Sequence, residues 1–252
     1  MAKKYIVANW KMNPQSIAEA EEILAFIDEH LEDRGPIQDQ SLVICPPFVF
    51  IEDVGRMLKT SRLGKYAELG SQDIALADSG AWTGEVSGPM LKRLGVRYAI
   101  VGHSERRSKL GETDEIVNKK LKTVLSNELT PIVCIGERER DAGFKDFIKK
   151  QIAGTFDGIS DDEKYKCLIA YEPVWAISTN PDAKPDKPED TLQAVAVIKE
   201  ALGFQTHILY GGSVNPDNAK DFLSLGELSG VLVGSASVKK EEFVEILKVR
   251  TD

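Results

Sequence analysis

The segment that follows an apolar run near residue 170 carries the most reactive side chain in the sequence. The run Cys167–Glu172 is predicted to be a buried strand that ends on the carboxylate of Glu172, and Pro173 prevents a central strand from continuing. Four apolar residues, Val174–Ile177, then occupy a place where a polar loop is expected. An ionisable group beside an apolar segment is typical of a catalytic base, although a glutamate that merely caps the following loop fits the same residues.

Two other reactive side chains also follow apolar runs. Lys11 comes directly after Asn9 and Trp10, from where its ammonium could reach a phosphate or a polarised oxygen. His103 precedes the polar segment 104–107, and the dipole of a helical turn there would disfavour the imidazolium form. A neutral ring could donate a hydrogen bond to a carbonyl oxygen. A solvated surface lysine and a core histidine are the alternatives.

Eight short apolar runs recur along the chain, and their two-sided apolar character predicts parallel strands buried on both faces. They are Tyr5–Trp10, Leu42–Pro46, Tyr66–Gln72, Tyr98–His103, Pro131–Gly136, Cys167–Glu172, His207–Gly212 and Gly230–Ser235. Helical periodicity covers 16–31, 114–126 and 189–202, and Asn215 with Pro216 predicts a further helix start. This alternation favours an α/β fold, a closed (β/α)8 barrel that spans 1–252 as one domain, over an open doubly wound sheet.

In such a barrel the active site lies at the carboxyl ends of the strands, where the residues above would meet. The turns YGGSV at 210–214 and VLVGSAS at 231–237 would follow the last two strands. The corresponding loops of barrels often bind phosphate, which glycine backbone can approach closely. A base, a donor, a cation and a phosphate site together suit moving a proton next to a carbonyl on a small phosphorylated substrate.

Composition excludes several other classes of protein. The formal net charge of -8 argues against binding to nucleic acid. No apolar run is long enough for a transmembrane span, and the start of the chain is unlike a signal peptide. The three cysteines lie in apolar runs, which predicts reduced thiols and a cytoplasmic protein, with Cys134 as an alternative nucleophile. The three histidines lack metal-ligand spacing, so we expect no metal site.

Seven motifs follow one another along the chain. They are ANWKMN at 8–13, GSQDIALADSGAWTGEVS at 70–87, VGHSERR at 101–107, PIVCIGE at 131–137, AYEPVWAI at 170–177, YGGSV at 210–214 and VLVGSAS at 231–237. In their wording and their order, these motifs closely resemble the triosephosphate isomerase family. By this resemblance Glu172 would shuttle the proton and His103 would polarise the carbonyl. Lys11 would offset negative charge, Asn9 would orient the site, and Glu105 would be the acidic partner.

The same resemblance implies the phosphate contacts and the assembly. Phosphate would be held around Ser178, Ser213, Gly234 and Ser235, without a metal or an organic cofactor. The loop at 78–88 would insert into a second subunit and form a homodimer. Its dimer-contact residues would be Trp82, Thr83 and Glu85.

The chain departs from the family pattern at four places. In the family, the segment that corresponds to 174–180 reads VWAIGTG and forms a lid over the site. Ser178 and Asn180 replace its two glycines here, and the segment 181–187 is about three residues longer than usual. Ser235 replaces a second glycine, and Asp73 replaces a common asparagine. No reactive group is lost, so we expect activity to be retained and lid closure to be altered.

Two rival functions remain on the sequence alone. A Schiff-base aldolase would need a lysine on a late strand, and the sixth and seventh predicted strands contain none. For Glu105, the residues alone favour an ion network with the arginines that follow it over a contact with the substrate. A catalytically idle barrel is expected to have lost Glu172, His103 or Lys11, and all three are present.

Overall fold

Eight parallel strands form a closed barrel in chain order. The computed structural model describes residues 4–30, 40–177, 186–204 and 206–250. The strands are β1 (Lys4–Asn9), β2 (Gln40–Cys45), β3 (Ala67–Ser71), β4 (Val96–Val101), β5 (Thr130–Ile135), β6 (Leu168–Tyr171), β7 (His207–Tyr210) and β8 (Gly230–Val233). Ile6 of β1 pairs with Leu42 on one side and with Val231 of β8 on the other, so the sheet has no edge. The predicted barrel is confirmed, and an open sheet is excluded.

Alternating side chains divide each strand between two cores. Val7, Val43, Ile132 and Leu209 belong to a small cluster that fills the barrel. Their neighbours in sequence, such as Ile6, pack outward in a larger cluster with the helices. Both faces of each strand are therefore apolar, as parallel strands require.

The helices lie between the strands along the chain. They are α1 (Ile17–His30), α2 (Ile51–Thr60), α3 (Gly88–Arg93), α4 (Ser104–Lys109), α5 (Asp114–Ser126), α6 (Phe144–Thr155), α7 (Asp161–Lys164), α8 (Pro188–Leu202), α9 (Ala219–Leu223) and α10 (Lys240–Leu247). The predicted helix 114–126 is confirmed as α5. α8 begins at Pro188. Proline lacks a backbone N–H, but this removes no helical hydrogen bond, because the N–H groups of a first turn have no partner within the helix.

One predicted helix start is wrong. The helix expected to open at Asn215 begins at Ala219 instead. The Asn215 side chain accepts hydrogen bonds from the N–H groups of Asp217 and Asn218, at 2.9 and 3.2 Å. A short polar side chain that bonds the following backbone favours a turn over a helix, which delays the start.

Part of the predicted lid lies outside the described residues. This holds for Ser178, for Asn180 and for 181–185 within the longer segment. Within the described ranges, no helix has both the length and the apolar character needed to cross a membrane.

Candidate active site

Glu172 lies just beyond β6, with only 2% of its surface exposed. One carboxylate oxygen, Oε2, accepts a hydrogen bond of 2.8 Å from the backbone N–H of Ser104, at the start of α4. The other oxygen, Oε1, lies 3.0 Å from His103 Nε2 but accepts no well-aligned hydrogen bond. The side chain thus reaches across the barrel mouth and does not cap the loop that follows it. One oxygen is anchored, and the other is a buried acceptor at the cavity.

A glycine of the YGGSV turn makes room for this carboxylate. A Cβ atom on Gly211 would lie 3.0 Å from Glu172 Cγ and 3.1 Å from the Tyr171 carbonyl oxygen. Both contacts are tighter than ordinary van der Waals packing, so a side chain there would push the glutamate. The sequence pattern associates this turn with phosphate alone and gives no indication of its contact with Glu172. The double glycine was the available signal.

His103 is the N-cap residue of α4. Gly102, in the left-handed region at φ 70°, turns the chain out of β4 just before it. His103 Nδ1 accepts a hydrogen bond of 3.3 Å from the Glu105 N–H, as a neutral ring allows. Nε2 then carries the proton and faces Glu172.

The electrostatic environment of His103 combines opposing effects. Burial lowers the pKa of the ring, whereas the carboxylates of Glu172 and Glu105 raise it, and the net direction is upward. The helix dipole was expected to disfavour the imidazolium form and so to lower the pKa of His103. The net shift of this pKa is upward instead. A full negative charge 3.0 Å away outweighs the partial charge of a helix end.

Lys11 enters the site from a strained backbone. Its φ of 55° lies in the left-handed region, which costs a non-glycine residue roughly 1–2 kcal/mol. The conformation is held by hydrogen bonds from the Lys11 N–H to Asn9 Oδ1 and from Gln72 Nε2 to the Lys11 carbonyl, at 3.0 and 2.8 Å. The ammonium lies 2.6 Å from Glu105 Oε1. A Cβ atom on Gly234 would be 3.1 Å from Lys11 Cε, so the lysine stem passes the glycine turn after β8.

Glu105 and the arginine next to it have different partners. Glu105 pairs with Lys11, and although burial raises the pKa of Glu105, this pairing lowers it below its usual value. Arg106 instead joins a network in which its Nε lies 2.7 Å from Glu112 Oε1 and its Nη2 lies 2.7 Å from Asp73 Oδ2. Arg107 Nη1 pairs with Asp114 Oδ1 at 2.6 Å, so the predicted common network of Glu105 with the adjacent arginines is wrong for both of them.

The fourth member of that network is Lys120, which the sequence did not identify as a site residue. Its Nζ lies 2.6 Å from both oxygens of Asp73 and from Glu112 Oε1, and the residue is 4% exposed. The buried Lys120 and the partly buried Arg106 thus face two buried carboxylates, one of which is the unusual Asp73. Burial raises the pKa of Asp73, and Lys120 opposes this shift. The signal was a lysine on the apolar stripe of α5.

One cavity at the carboxyl ends of the strands collects most of the predicted site residues. Its lining includes Asn9, Lys11, His103, Glu172, Ser213, Gly234 and Ser235. The turn after β8 is fixed by Ser237, whose hydroxyl donates to the carbonyl of Asn9 at 3.2 Å and to that of Gly234 at 2.7 Å. Ser178 lies outside the described residues.

Cys134 and the predicted dimer-contact residues do not line this cavity. Cys134 is 1% exposed, and burial together with the Glu172 charge raises the pKa of its thiol well above the usual value, so it stays protonated. Trp82, Thr83 and Glu85 are exposed on their loop, with 49% of Trp82 accessible in the single chain.

Comparisons with known proteins agree with this geometry. The family model described as triosephosphate isomerase matches residues 4–250. The triosephosphate isomerases of Dictyoglomus thermophilum and Aquifex aeolicus are 40% and 42% identical to the chain. The matches cover 98% and 97% of the chain and 100% and 98% of the relatives, respectively.

A solved structure shares the fold as well. The crystal structure of triosephosphate isomerase from Bartonella henselae superimposes with a TM-score of 0.80 at 30% identity, over 97% of both chains. Full-length matches of this kind, together with the closed barrel and the cavity at its carboxyl end, settle the assignment. The chain belongs to the triosephosphate isomerase family.

Proposed function

We propose that this chain interconverts dihydroxyacetone phosphate and D-glyceraldehyde 3-phosphate through an enediolate, with Glu172 as the proton carrier. The observation that carries the proposal is the pair of unequal oxygens on Glu172. Oε2 is fixed by the Ser104 N–H, while Oε1 is buried at the cavity without an aligned hydrogen bond. An oxygen in that position can take a proton from carbon without first breaking a strong bond.

The base acts in a site that excludes water. With 2% of its surface exposed, the Glu172 carboxylate is shielded from bulk water at the barrel mouth. It would remove the proton from the carbon next to the substrate carbonyl. It would then return the proton to the other carbon, which converts the ketose into the aldose or the reverse.

His103 would supply the hydrogen bond that polarises the carbonyl. The Glu105 N–H bonded to Nδ1 favours the tautomer with the proton on Nε2. A substrate oxygen that meets Nε2 would increase the separation from Glu172, and the carboxylate would then raise the pKa of the ring less. The ring would thereby act as a neutral donor and stabilise negative charge on oxygen in the transition state.

Lys11 would balance the charge of the enediolate and of the phosphate. Its ammonium is held 2.6 Å from Glu105, and its stem passes Gly234. Asn9 fixes the backbone of Lys11 and lines the cavity. Backbone around Ser213, Gly234 and Ser235 would bind the phosphate, joined by Ser178 of the lid.

The wider context follows from the proposed reaction. We propose a role in glycolysis and gluconeogenesis, in the cytoplasm, for a single-domain enzyme that works without a cofactor. We also propose a homodimer formed through the loop at 78–88. Trp82 supports this assembly, because it is 49% exposed on a loop whose Trp82–Gly80 and Glu85–Trp82 backbone hydrogen bonds run within the loop itself.

The direct test is a coupled assay of the purified chain with D-glyceraldehyde 3-phosphate. We expect Glu172→Gln to lower kcat by roughly 10³-fold with little change in KM, because the amide keeps the shape but cannot accept the proton. The surface variant Glu200→Gln is the control and should match the wild type. Absence of wild-type turnover, or a Glu172→Gln variant within a few fold of it, would overturn the proposal.

A further inference from the structure

A lysine and a glutamate beyond the last motif also line the active-site cavity. Lys239 and Glu242 border the same cavity as Gly234 and Ser235, at the end formed by the turn after β8. Their side chains pair with each other, with Lys239 Nζ at 2.9 Å from Glu242 Oε1. The mechanism above uses neither residue.

The backbone of Lys239 is fixed on both sides. Its N–H donates to the Ala236 carbonyl at 3.3 Å, and its carbonyl accepts from the Phe243 N–H at 2.9 Å. Ser237, two residues earlier, pins the turn to β1 through its hydroxyl. Any rearrangement of the Lys239–Glu242 pair is therefore confined to the side chains.

The ion pair between Lys239 and Glu242 is weak enough for another anion to replace Glu242. The side chains are 60% and 38% exposed, and surface pairs of this kind contribute about 0–1 kcal/mol. A phosphate dianion carries twice the charge of a carboxylate and offers more acceptor oxygens. Since Coulomb attraction scales with charge, the ammonium would prefer the phosphate over Glu242 at a similar distance.

The chain has a specific need for such a cation. Its net charge of -8 provides no general attraction for an anionic substrate. Lys11, the other lysine that lines the cavity among the described residues, is already held by Glu105 at 2.6 Å. Lys239 is bound to a weaker, more exposed partner, so it can respond to an incoming phosphate.

We propose that Lys239 determines specificity for the phosphate group, by transferring its ammonium from Glu242 to the phosphate when the substrate binds. Glu242 then acts as a competitor that tunes affinity. The proposal rests on the proposed function, because it assigns the phosphate end of the same cavity. It requires opposite effects from the two residues: removing the lysine weakens phosphate binding, and removing the glutamate strengthens it.

The experiment compares Lys239→Gln, Glu242→Gln and the control Lys240→Gln. Lys240 carries the same charge next in sequence but contacts Glu22 and lies over the Phe26 ring. Two quantities are measured, KM for D-glyceraldehyde 3-phosphate and the dissociation constant of inorganic phosphate by calorimetry. We expect Lys239→Gln to raise both roughly 3- to 10-fold without lowering kcat, and Glu242→Gln to lower both roughly 2-fold. Lys240→Gln should match the wild type.

The changes in KM and in the phosphate dissociation constant should also depend on salt. They should shrink at about 0.5 M salt, because Lys239 and Glu242 are exposed and their charges are screened. Unchanged constants for Lys239→Gln, or weaker binding in both site variants, would overturn the proposal. If Lys239→Gln does not fold, Glu242→Gln still tests the proposal. Phosphate binding that is unchanged or weaker in Glu242→Gln would contradict the transfer of the Lys239 ammonium from Glu242 to the phosphate. A wild type that binds phosphate but has no isomerase activity would defeat the proposed function and leave the binding test intact.

Discussion

At the scale of single residues, the site depends on the different hydrogen bonding of the two carboxylate oxygens of Glu172. The Ser104 N–H anchors Oε2 of Glu172, and Oε1 remains beside His103 without an aligned bond. The sequence identified Glu172 through its place at a strand end before a proline. It could not show the anchor, because Ser104 is 68 residues away and meets the glutamate only when the barrel closes.

Gly211 offers a residue-scale prediction that leaves every reactive group in place. In Gly211→Ala the new Cβ must displace Glu172 Cγ or the Tyr171 carbonyl by a few tenths of an ångström. Since misplacement by about 1 Å can cost 10²-fold, we expect kcat to fall roughly tenfold with little change in KM. Steady-state kinetics measure this directly.

Gly226→Ala is the matched control for that variant. A Cβ atom on Gly226 would meet nothing within 4 Å, so its kinetics should equal those of the wild type. Equal kcat values for Gly211→Ala and the wild type would show that Gly211 does not position the base.

At the scale of elements, periodicity located the strands well but not the side-chain networks between them. Each of the eight predicted runs overlaps one strand, and each strand ends one or two residues before the predicted end. Residues such as Glu172 and His103 lie just past the strands, on the loops. The Asp73–Lys120 contact joins the segment after β3 to α5, and no local pattern predicts a pairing at that separation.

The two ends of the lid contact different polar groups. At its start, Glu137 Oε1 accepts hydrogen bonds from the Tyr171 hydroxyl at 2.9 Å and from Trp175 Nε1 at 3.0 Å. At its end, Asp186 accepts from the Thr191 hydroxyl at 2.6 Å and from the Lys187 N–H at 2.8 Å. The effect of Ser178 and the longer segment on lid closure stays a prediction.

Asp186 provides a prediction at the scale of α8, which it precedes. Burial raises the pKa of Asp186 from 3.8 to about 6, against the hydrogen bonds it accepts. Because the folded pKa is the higher one, its contribution to stability is complete below about pH 4 and is lost as pH rises to about 6. We expect Asp186→Asn to be more stable than the wild type at pH 7.5 by roughly 1–2 kcal/mol, a value discounted for partial exposure.

Urea unfolding at pH 4 and pH 7.5 measures that difference. The gain should disappear at the lower pH, and the exposed helix residue in Asp162→Asn should show no such pH-dependent gain. A gain of equal size at both pH values would contradict the assignment to ionisation of Asp186.

At the scale of the whole molecule, apolar side chains remain on the surface of the single chain. The exposed fractions of Met12, Val49, Trp82 and Met90 are 84%, 77%, 49% and 56%. Exposed apolar side chains that form a contiguous patch mark a region that another protein surface covers. The proposed homodimer would provide such a surface for the loop at 78–88.

A charge on that loop should therefore break the assembly. We expect Trp82→Arg to shift the chain from dimer to monomer at micromolar concentration, because burying an unpaired cation in an interface is strongly unfavourable. Light scattering reads the mass, and Phe147→Arg on α6, where Phe147 is 43% exposed, serves as the control. A wild type that is a fully active monomer would contradict the dimer.

The central claim is that a carboxylate moves a proton between two carbons of the substrate, and isomerisation in D₂O followed by NMR tests it most directly. A proton held on Glu172 can exchange with solvent before it is returned, so part of the product should carry deuterium at the carbon that receives it. Glu172→Gln should slow isomerisation and deuterium incorporation together, by the same roughly 10³-fold. Wild-type turnover with complete retention of the original hydrogen, as a direct hydride shift would give, would contradict the account.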